Sequence, residues 1–315
     1  MRFPKLKKIY LACPRGFCAG VERAVKIVDT LLKKIRPPLY VRHQIVHNQS
    51  VISHFEKKGV IFIENLNKIP DSSRVIFSAH GSPPIIYQQA KKKKLKVYDA
   101  VCPLVTKVHF EARRYHKEGY FIFYIGHKNH PEVEGVLGEI PTNSVALIQT
   151  IEQAKKIHPP QKEKLVVLTQ TTLSYDDTEE IINRLKKKFP KLTLPPAFDI
   201  CFATQNRQNA VKELAKKTDL ILVVGSKNSS NSNRLKEVAE KAGKTVYLVD
   251  GISEINTSWL KEVENLGIAA GASAPDYVID KVIDYFSDSA ALVEELITMK
   301  ENISFPLPKE IYESS

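Results

Sequence analysis

Three cysteines stand at matching points of the chain and are the residues best placed to do chemistry. Cys18, Cys102 and Cys201 each open a stretch with helical apolar spacing. Polar loops follow each of them at similar distances. His47, His130 and Ser229 lie 29, 28 and 28 residues beyond the three cysteines, and His80, Thr171 and Ser273 lie 62, 69 and 72 beyond. One buried cysteine means little, because a thiol packs as a small hydrophobe. Three at equivalent positions weigh against chance. The fourth, Cys13, has no counterpart and falls in the apolar strand "KIYLAC".

A thiolate at a helix start is favoured by the helix dipole and by unbonded amides. Three converging thiolates make a soft metal site. Structural zinc requires a fourth protein ligand and a closed shell. A 4Fe–4S cluster held by three cysteines instead leaves one iron as an open Lewis acid, and it passes electrons singly. The loops offer a surrounding shell of His47, His80 and His130 with Thr171, Ser229, Ser230, Asn231 and Ser273. Such donors suit phosphate oxygens. Glu132, beside His130, would have a raised pKa in a closed cavity and could deliver protons. The other histidines, His43, His54, His109, His116, His127 and His158, read as surface or satisfied residues, and "SSNSNR" doubles as a helix N-cap.

The elements that must position these residues are written three times. The helix after Cys18 carries Val21, Val25, Val28 and Leu32 on one face. That after Cys102 carries Leu104, Val105, Val108, Ala112 and Tyr115. That after Cys201 carries Ala203, Ala210, Val211 and Leu214. The strands "LYV", "YFIFYIG" and "DLILVVG" follow, then "GVIFIE", "SVALIQ" and "TVYLVD". Alternating helices and strands predict an α/β protein of three similar small units with mostly parallel sheets. Ligands of such sheets sit at the carboxyl ends of strands, where all six loops and the three cysteines fall. The economical geometry is a pseudo-threefold axis with one central cavity. The boundaries are 1–100, 101–198 and 199–288, followed by a tail, 289–315, folding back on the body.

Composition agrees. At 43% apolar and 26% charged the chain is globular, and four scattered cysteines are not a secreted disulfide framework. No membrane span or signal core is read, so a cytoplasmic protein is expected. The net charge of +12 lacks the interleaved aromatics of a nucleic-acid reader and would draw anionic partners.

The motifs "PRGFCAGV", "YVRHQIVHN", "SAHG", "DAVCPLVTKVH", "GHKNHPEVEG", "TQTTLS", "VVGSKNSSNSNRL" and "AGASAP" resemble those of the 4-hydroxy-3-methylbut-2-enyl diphosphate reductases of the non-mevalonate isoprenoid pathway. They span Pro14 to Pro275, in the family's order. The resemblance implies a three-domain α/β iron–sulfur oxidoreductase with one central 4Fe–4S cluster on Cys18, Cys102 and Cys201. It implies that His47, His80, His130, Ser229, Ser230, Asn231 and Ser273 bind the diphosphate. Thr171 and Glu132, with His130, would orient the substrate hydroxyl and supply protons. The implied reaction is reductive dehydroxylation to isopentenyl and dimethylallyl diphosphate. Ferredoxin or flavodoxin would supply the electrons, and the chain would be a monomer or weak homodimer. Val101 and Cys13 depart from the usual pattern, at positions often Thr and often polar.

Two other classes remain to be discriminated. An iron–sulfur hydro-lyase would need no stoichiometric reductant. A basic zinc- or RNA-binding factor would be colourless and salt-sensitive.

Overall fold

A computed structural model describes residues 5–160, 163–195, 199–287 and 289–312. In chain order the first repeat holds β1 (Lys8–Cys13), α1 (Ala19–Lys34), β2 (Leu39–Arg42), α2 (Gln49–Glu56), β3 (Val60–Ile63), β4 (Arg74–Phe77), α3 (Pro84–Lys92) and β5 (Lys96–Asp99). The second holds α4 (Pro103–Lys117), β6 (Phe121–Ile125), α5 (Pro131–Leu137), β7 (Val145–Ile148), α6 (Ile151–Lys156), β8 (Leu165–Thr169) and α7 (Tyr175–Lys188). The third holds α8 (Phe202–Lys217), β9 (Leu220–Val224), α9 (Ser230–Lys241), β10 (Thr245–Val249), β11 (Asn265–Ala270) and α10 (Asp276–Asp284). β12 (Leu292–Ile297) and α11 (Lys309–Tyr312) follow.

The protein is α/β, with three small sheets whose strand pairs are all parallel. Their sequences show why. Strands β6, β8 and β9 read FIFYI, LVVLT and LILVV and are buried at every residue, as strands covered on both faces must be. Among the described residues no helix is long and apolar enough to cross a membrane.

The three sheets share one order. In the first repeat it is β3-β2-β4-β5, in the third β10-β9-β11-β1 with β12 added at the edge, and in the second β7-β6-β8. The second sheet is completed by a single parallel bridge from Val166 in β8 to Thr193. Counting strands from each cysteine-led helix, every sheet has the second, first and third, then the strand that leads to the next cysteine. The rule is cyclic: β1, at the start of the chain, enters the sheet of the last repeat and leads to Cys18. The same logic appears in three backbone bonds. The Cys18 amide donates to the Ala272 carbonyl at 3.2 Å, Cys102 to Ala79 at 3.0 Å and Cys201 to Thr171 at 3.0 Å. Each acceptor lies in the loop after a third strand.

The chain falls into two compact units. One comprises Met1–Val21, His47–His54 and Phe202–Ser304. The other comprises Glu22–Val46, Phe55–Cys201 and Phe305–Ser315. The first contains the five-stranded sheet, with a core of Ile9, Leu11, Leu222, Leu266, Ile268 and Phe286 on one face. The second contains the other two sheets, with Phe121, Phe123, Leu165 and Leu185 packed together in one and Val75, Phe77 and Ala90 in the other.

The predicted helix faces hold for α4 and α8, whose apolar stripes are buried almost throughout. For α1 the face is corrected. Ala24, Ile27, Val28 and Leu31 are 0% exposed, whereas Val21, Val25 and Leu32 are half-buried. The predicted stripe runs i, i+4, i+7, i+11 and the buried one i, i+3, i+4, i+7, both of them helical spacings, so periodicity alone does not choose between them.

Candidate functional site

The twelve residues singled out by spacing divide evenly, with Cys18, His47, Ser229, Ser230, Asn231 and Ser273 in the first unit and the rest in the second. In the first unit the loop after β11 is the hub. The Ala272 amide donates to Asn231 Oδ1 at 2.8 Å, and its carbonyl accepts from Cys18. Ser273 Oγ reaches the His47 carbonyl at 2.9 Å and Ser229 Oγ at 3.4 Å. Ser229 caps α9 by accepting from the Ser232 amide at 3.3 Å. Ser and Asn are placed here because such side chains satisfy the orphan amides of a first turn. Ser230 is the first residue of that helix. The Asn231 amide nitrogen bonds Thr204 Oγ1 at 3.3 Å, so this side chain braces the loop and the start of α8. Asn48 serves α2 in the same way, accepting from the Val51 amide at 3.1 Å.

In the second unit the histidines and acids form a chain. The His80 and His130 rings meet edge to face with centroids 6.0 Å apart. His130 precedes α5, and its Nδ1 accepts from the Glu132 amide at 3.2 Å. A neutral ring so engaged carries its proton on Nε2. Glu132 is 2% exposed. Its carboxylate accepts from the Thr171 amide at 2.6 Å and from Thr171 Oγ1 at 3.0 Å. Burial pushes this carboxyl up to about 7. The two Thr171 bonds act in the opposite sense but do not offset the loss of hydration. Thr171 then connects to the ligand candidate, since its carbonyl takes the Cys201 amide.

The cysteines are placed alike. Cys102 is the residue ahead of α4, with extended backbone and no side-chain cap bond. Cys18 and Cys201 immediately precede α1 and α8. All four cysteines remain thiols and are half-buried.

A model of the LytB protein family matches residues 9–287. This chain belongs to the LytB family. It is 48% identical over 308 residues to a protein of Acinetobacter baumannii named 4-hydroxy-3-methylbut-2-enyl diphosphate reductase, covering 96% of this chain and 98% of that one. It is 49% identical over 308 residues to the protein of the same name from Hamiltonella defensa, covering 96% and 97%. The solved E-1-hydroxy-2-methyl-but-2-enyl-4-diphosphate reductase of Plasmodium falciparum superposes with a TM-score of 0.95 at 40% identity, covering 98% of each chain.

The donor set of this LytB-family chain bears on the iron–sulfur group that the threefold cysteine recurrence predicts. The residues at the three helix starts are thiols, with no carboxylate among them, which is the chemistry of an iron–sulfur cluster and not of a hard cation. Among the described residues no group of three or more His, Cys, Asp or Glu is arranged to hold a single metal ion. By donor type alone, three thiols are what an iron–sulfur cluster takes.

Sequence reasoning missed a second layer of buried charge in this unit. Asp199 is 4% exposed and accepts from the Thr169 amide at 2.9 Å and from Lys107 Nζ at 3.1 Å. Burial raises its carboxyl, against the pull of Lys107. The Tyr124 hydroxyl is buried with no hydrogen-bond partner among the described residues, and burial, then the charges of Glu132 and Asp199, raise its pKa. His109 is also internal, 6% exposed, with Nδ1 2.7 Å from Glu139 Oε1. Burial pushes the Glu139 carboxyl up, but the bonds and charges of His109 and Arg113 outweigh it and leave it below its usual range. No sequence signal separates these buried groups from solvated ones.

His109 also limits the loop that carries His80. Gly81 has φ +81°, and a Cβ there would lie 2.8 Å from His109 Nε2. Gly243 has φ +76° with nothing within 4 Å. Gly81→Ala is therefore expected to cost about 2–4 kcal/mol, strain plus clash, against about 1 kcal/mol for Gly243→Ala. Denaturant midpoints of the two variants measure the difference; equal losses would mean that His109 yields freely.

Proposed function

We propose that this chain is an oxidoreductase that converts 4-hydroxy-3-methylbut-2-enyl diphosphate to isopentenyl and dimethylallyl diphosphate, using one 4Fe–4S cluster on Cys18, Cys102 and Cys201. The observation that carries the reading is the buried Glu132–Thr171 pair. It is a proton source set near neutrality, in a chain 48% identical to proteins named for this reaction. When bound, the cluster supplies electrons one at a time and an iron with no protein thiolate as a Lewis acid for the substrate hydroxyl.

The chain's own residues do the rest. His47, His80 and His130, with Ser229, Ser230, Asn231 and Ser273, bind the diphosphate oxygens. In this role Ser229 and Ser230 act at the start of α9, where first-turn amides and hydroxyls favour an anion. Thr171 Oγ1 orients the allylic hydroxyl. When Glu132 is protonated, the Thr171 hydroxyl reverses, accepts from Glu132 and donates onward, so the pair passes a proton without moving a backbone atom. Two electrons and two protons enter, the C–O bond breaks, and water leaves. Protonation at either end of the allyl unit gives the two products. The donor is a ferredoxin or flavodoxin, whose acidic surfaces complement a net charge of +12.

The test is the visible spectrum of protein purified without oxygen, recorded with and without the allylic diphosphate, together with reductant consumed per product. A broad iron–sulfur absorption that changes on substrate addition, and two electrons per product, are expected. A colourless protein that cannot be reconstituted would overturn the cluster. Turnover without reductant would place the chain among hydro-lyases.

A further inference from the structure

Each helix that follows a candidate ligand carries a basic residue five or six positions after the cysteine. Arg23 lies five residues after Cys18, Lys107 five after Cys102, and Arg207 six after Cys201. Each reaches the turn ahead of a different cysteine, and Arg207 Nη1 also donates to the Ala203 carbonyl of its own helix at 3.0 Å. Arg23 Nη1 donates to the Val101 carbonyl at 3.0 Å, just ahead of Cys102. Lys107 Nζ meets Asp199 Oδ1 at 3.1 Å, two residues ahead of Cys201. Arg207 Nη2 donates to the Gly16 carbonyl at 2.9 Å and to the Phe17 carbonyl at 3.5 Å, just ahead of Cys18. The pattern repeats the cyclic order of the sheets.

We infer that Arg23, Lys107 and Arg207 are positioning residues, each of which fixes the turn carrying the next cysteine in the cycle. The inference rests on the reading that those cysteines hold the cluster.

The C-terminal segment secures two of the braces. Arg207 is 1% exposed. Its Nη1 is held by both Glu301 carboxylate oxygens at 3.1 Å, and Asn206 Nδ2 reaches Glu301 Oε1 at 2.9 Å. Arg23 Nε donates to the Pro306 carbonyl at 2.9 Å. The segment also grips the strand end ahead of Cys18, where the Thr298 amide and hydroxyl both donate to the Cys13 carbonyl, at 3.0 and 2.8 Å. A buried guanidinium must be fully bonded, and a planar fork of donors fixes its acceptors more rigidly than a point charge. Neutralising Glu301 leaves Arg207 charged and buried without its counter-ion, a state relieved only by withdrawing it from the Gly16 turn.

The experiment is hydrogen–deuterium exchange on the full-length protein without its cluster, comparing Arg23→Gln, Lys107→Gln, Arg207→Gln and Glu301→Gln with the parent. Exchange is expected to rise roughly tenfold or more at the next cysteine. Arg23→Gln acts at residues 101–104, Lys107→Gln at 200–203, and Arg207→Gln and Glu301→Gln at 15–19. The other two cysteine turns stay unchanged in each case, except that Arg207→Gln, which loses its bond to the Ala203 carbonyl, also loosens residue 203. Where a Gln variant does not fold, the charge-retaining Arg23→Lys, Lys107→Arg or Arg207→Lys replaces it, with a smaller rise at the same place. After reconstitution, iron release to a chelator should be about tenfold faster in Glu301→Gln. Exchange that rises equally at all three turns, or only at the mutated helix, overturns the inference. So does unchanged exchange. A parent protein that takes up no iron overturns the function instead, and leaves the exchange result to decide the braces.

Discussion

Glu132→Gln is expected to lower kcat by about 10²–10⁴-fold while leaving cluster content and substrate affinity near normal. The substitution is close to isosteric. Its carbonyl oxygen can still accept from the Thr171 amide, and Thr171 Oγ1, now donating to Glu132 Oε2 at 3.0 Å, can turn to accept from the new NH₂. The local fold is thus preserved and only the transferable proton is lost. The parent enzyme should also show a falling limb. With Glu132 at about 7, the protonated fraction and hence the rate decline above that pH, and this limb is absent from the variant. Steady-state turnover with a chemical one-electron donor, over a pH series, measures both. Near-normal turnover would remove Glu132 as the proton source.

The same group makes stability depend on pH, and the sign follows from the direction of its shift. Burial raises the carboxyl from 4.5 in the unfolded chain to about 7 in the folded one. Between those values the native state holds a proton that the unfolded state has released. The contribution is fully present below 4.5 and is lost as pH rises through about 7, amounting to about 3 kcal/mol. Glu132→Gln should flatten that slope in denaturant titrations across the window. Glu152, fully exposed and beside Lys155, has the opposite shift and no comparable weight.

How much of this was legible in the sequence depends on what each residue had to bury. Strands β6, β8 and β9 are continuous apolar runs bounded by polar loops, so their type and order follow from pattern. The equivalent placement of the three cysteines ahead of α1, α4 and α8 was legible because recurrence, not residue type, marked it. Strand β12 was not. Its LVEELI is largely exposed, with Leu292 at 61% and Ile297 at 54%, and an edge strand with two glutamates carries no core signal. Its place beside β1 comes from backbone pairing, helped by Leu296 packing near Tyr10 and Ala12 and by Arg15 meeting Glu295. Glu111 on α4, which is 7% exposed, and Arg207 on α8 were unreadable for a related reason. A charge on a helix face reads as solvated, and only tertiary packing shows that 1% of Arg207 is exposed. Asn231 was read as a ligand to substrate, and the structure adds that its amide bonds Thr204 and Ala272. Local composition identifies a hydrogen-bonding loop without saying which partner each donor takes.

Replacing the cysteines one at a time should separate ligand from neighbour with the largest effect of all. Cys18→Ser, Cys102→Ser and Cys201→Ser are each expected to hold less than roughly a tenth of the parent's iron and to lose turnover by more than about 100-fold. Cys13→Ser should keep its cluster and cost about 1 kcal/mol of stability. Cys13 ends β1, half-buried, and what the structure uses there is its carbonyl, which accepts from Thr298 and does not depend on the side chain. The cluster-free proteins supply the control for folding. Cys102 stands ahead of α4 with no side-chain cap bond, and serine is among the best residues for that position. Cluster-free Cys102→Ser should therefore unfold at the same denaturant concentration as the cluster-free parent, or higher. If it does so while binding no iron, the loss belongs to the missing thiolate and not to a damaged fold. Equal iron loss in Cys13→Ser would instead make the cysteine pair of the first turn the site, and the cyclic recurrence of the other two incidental.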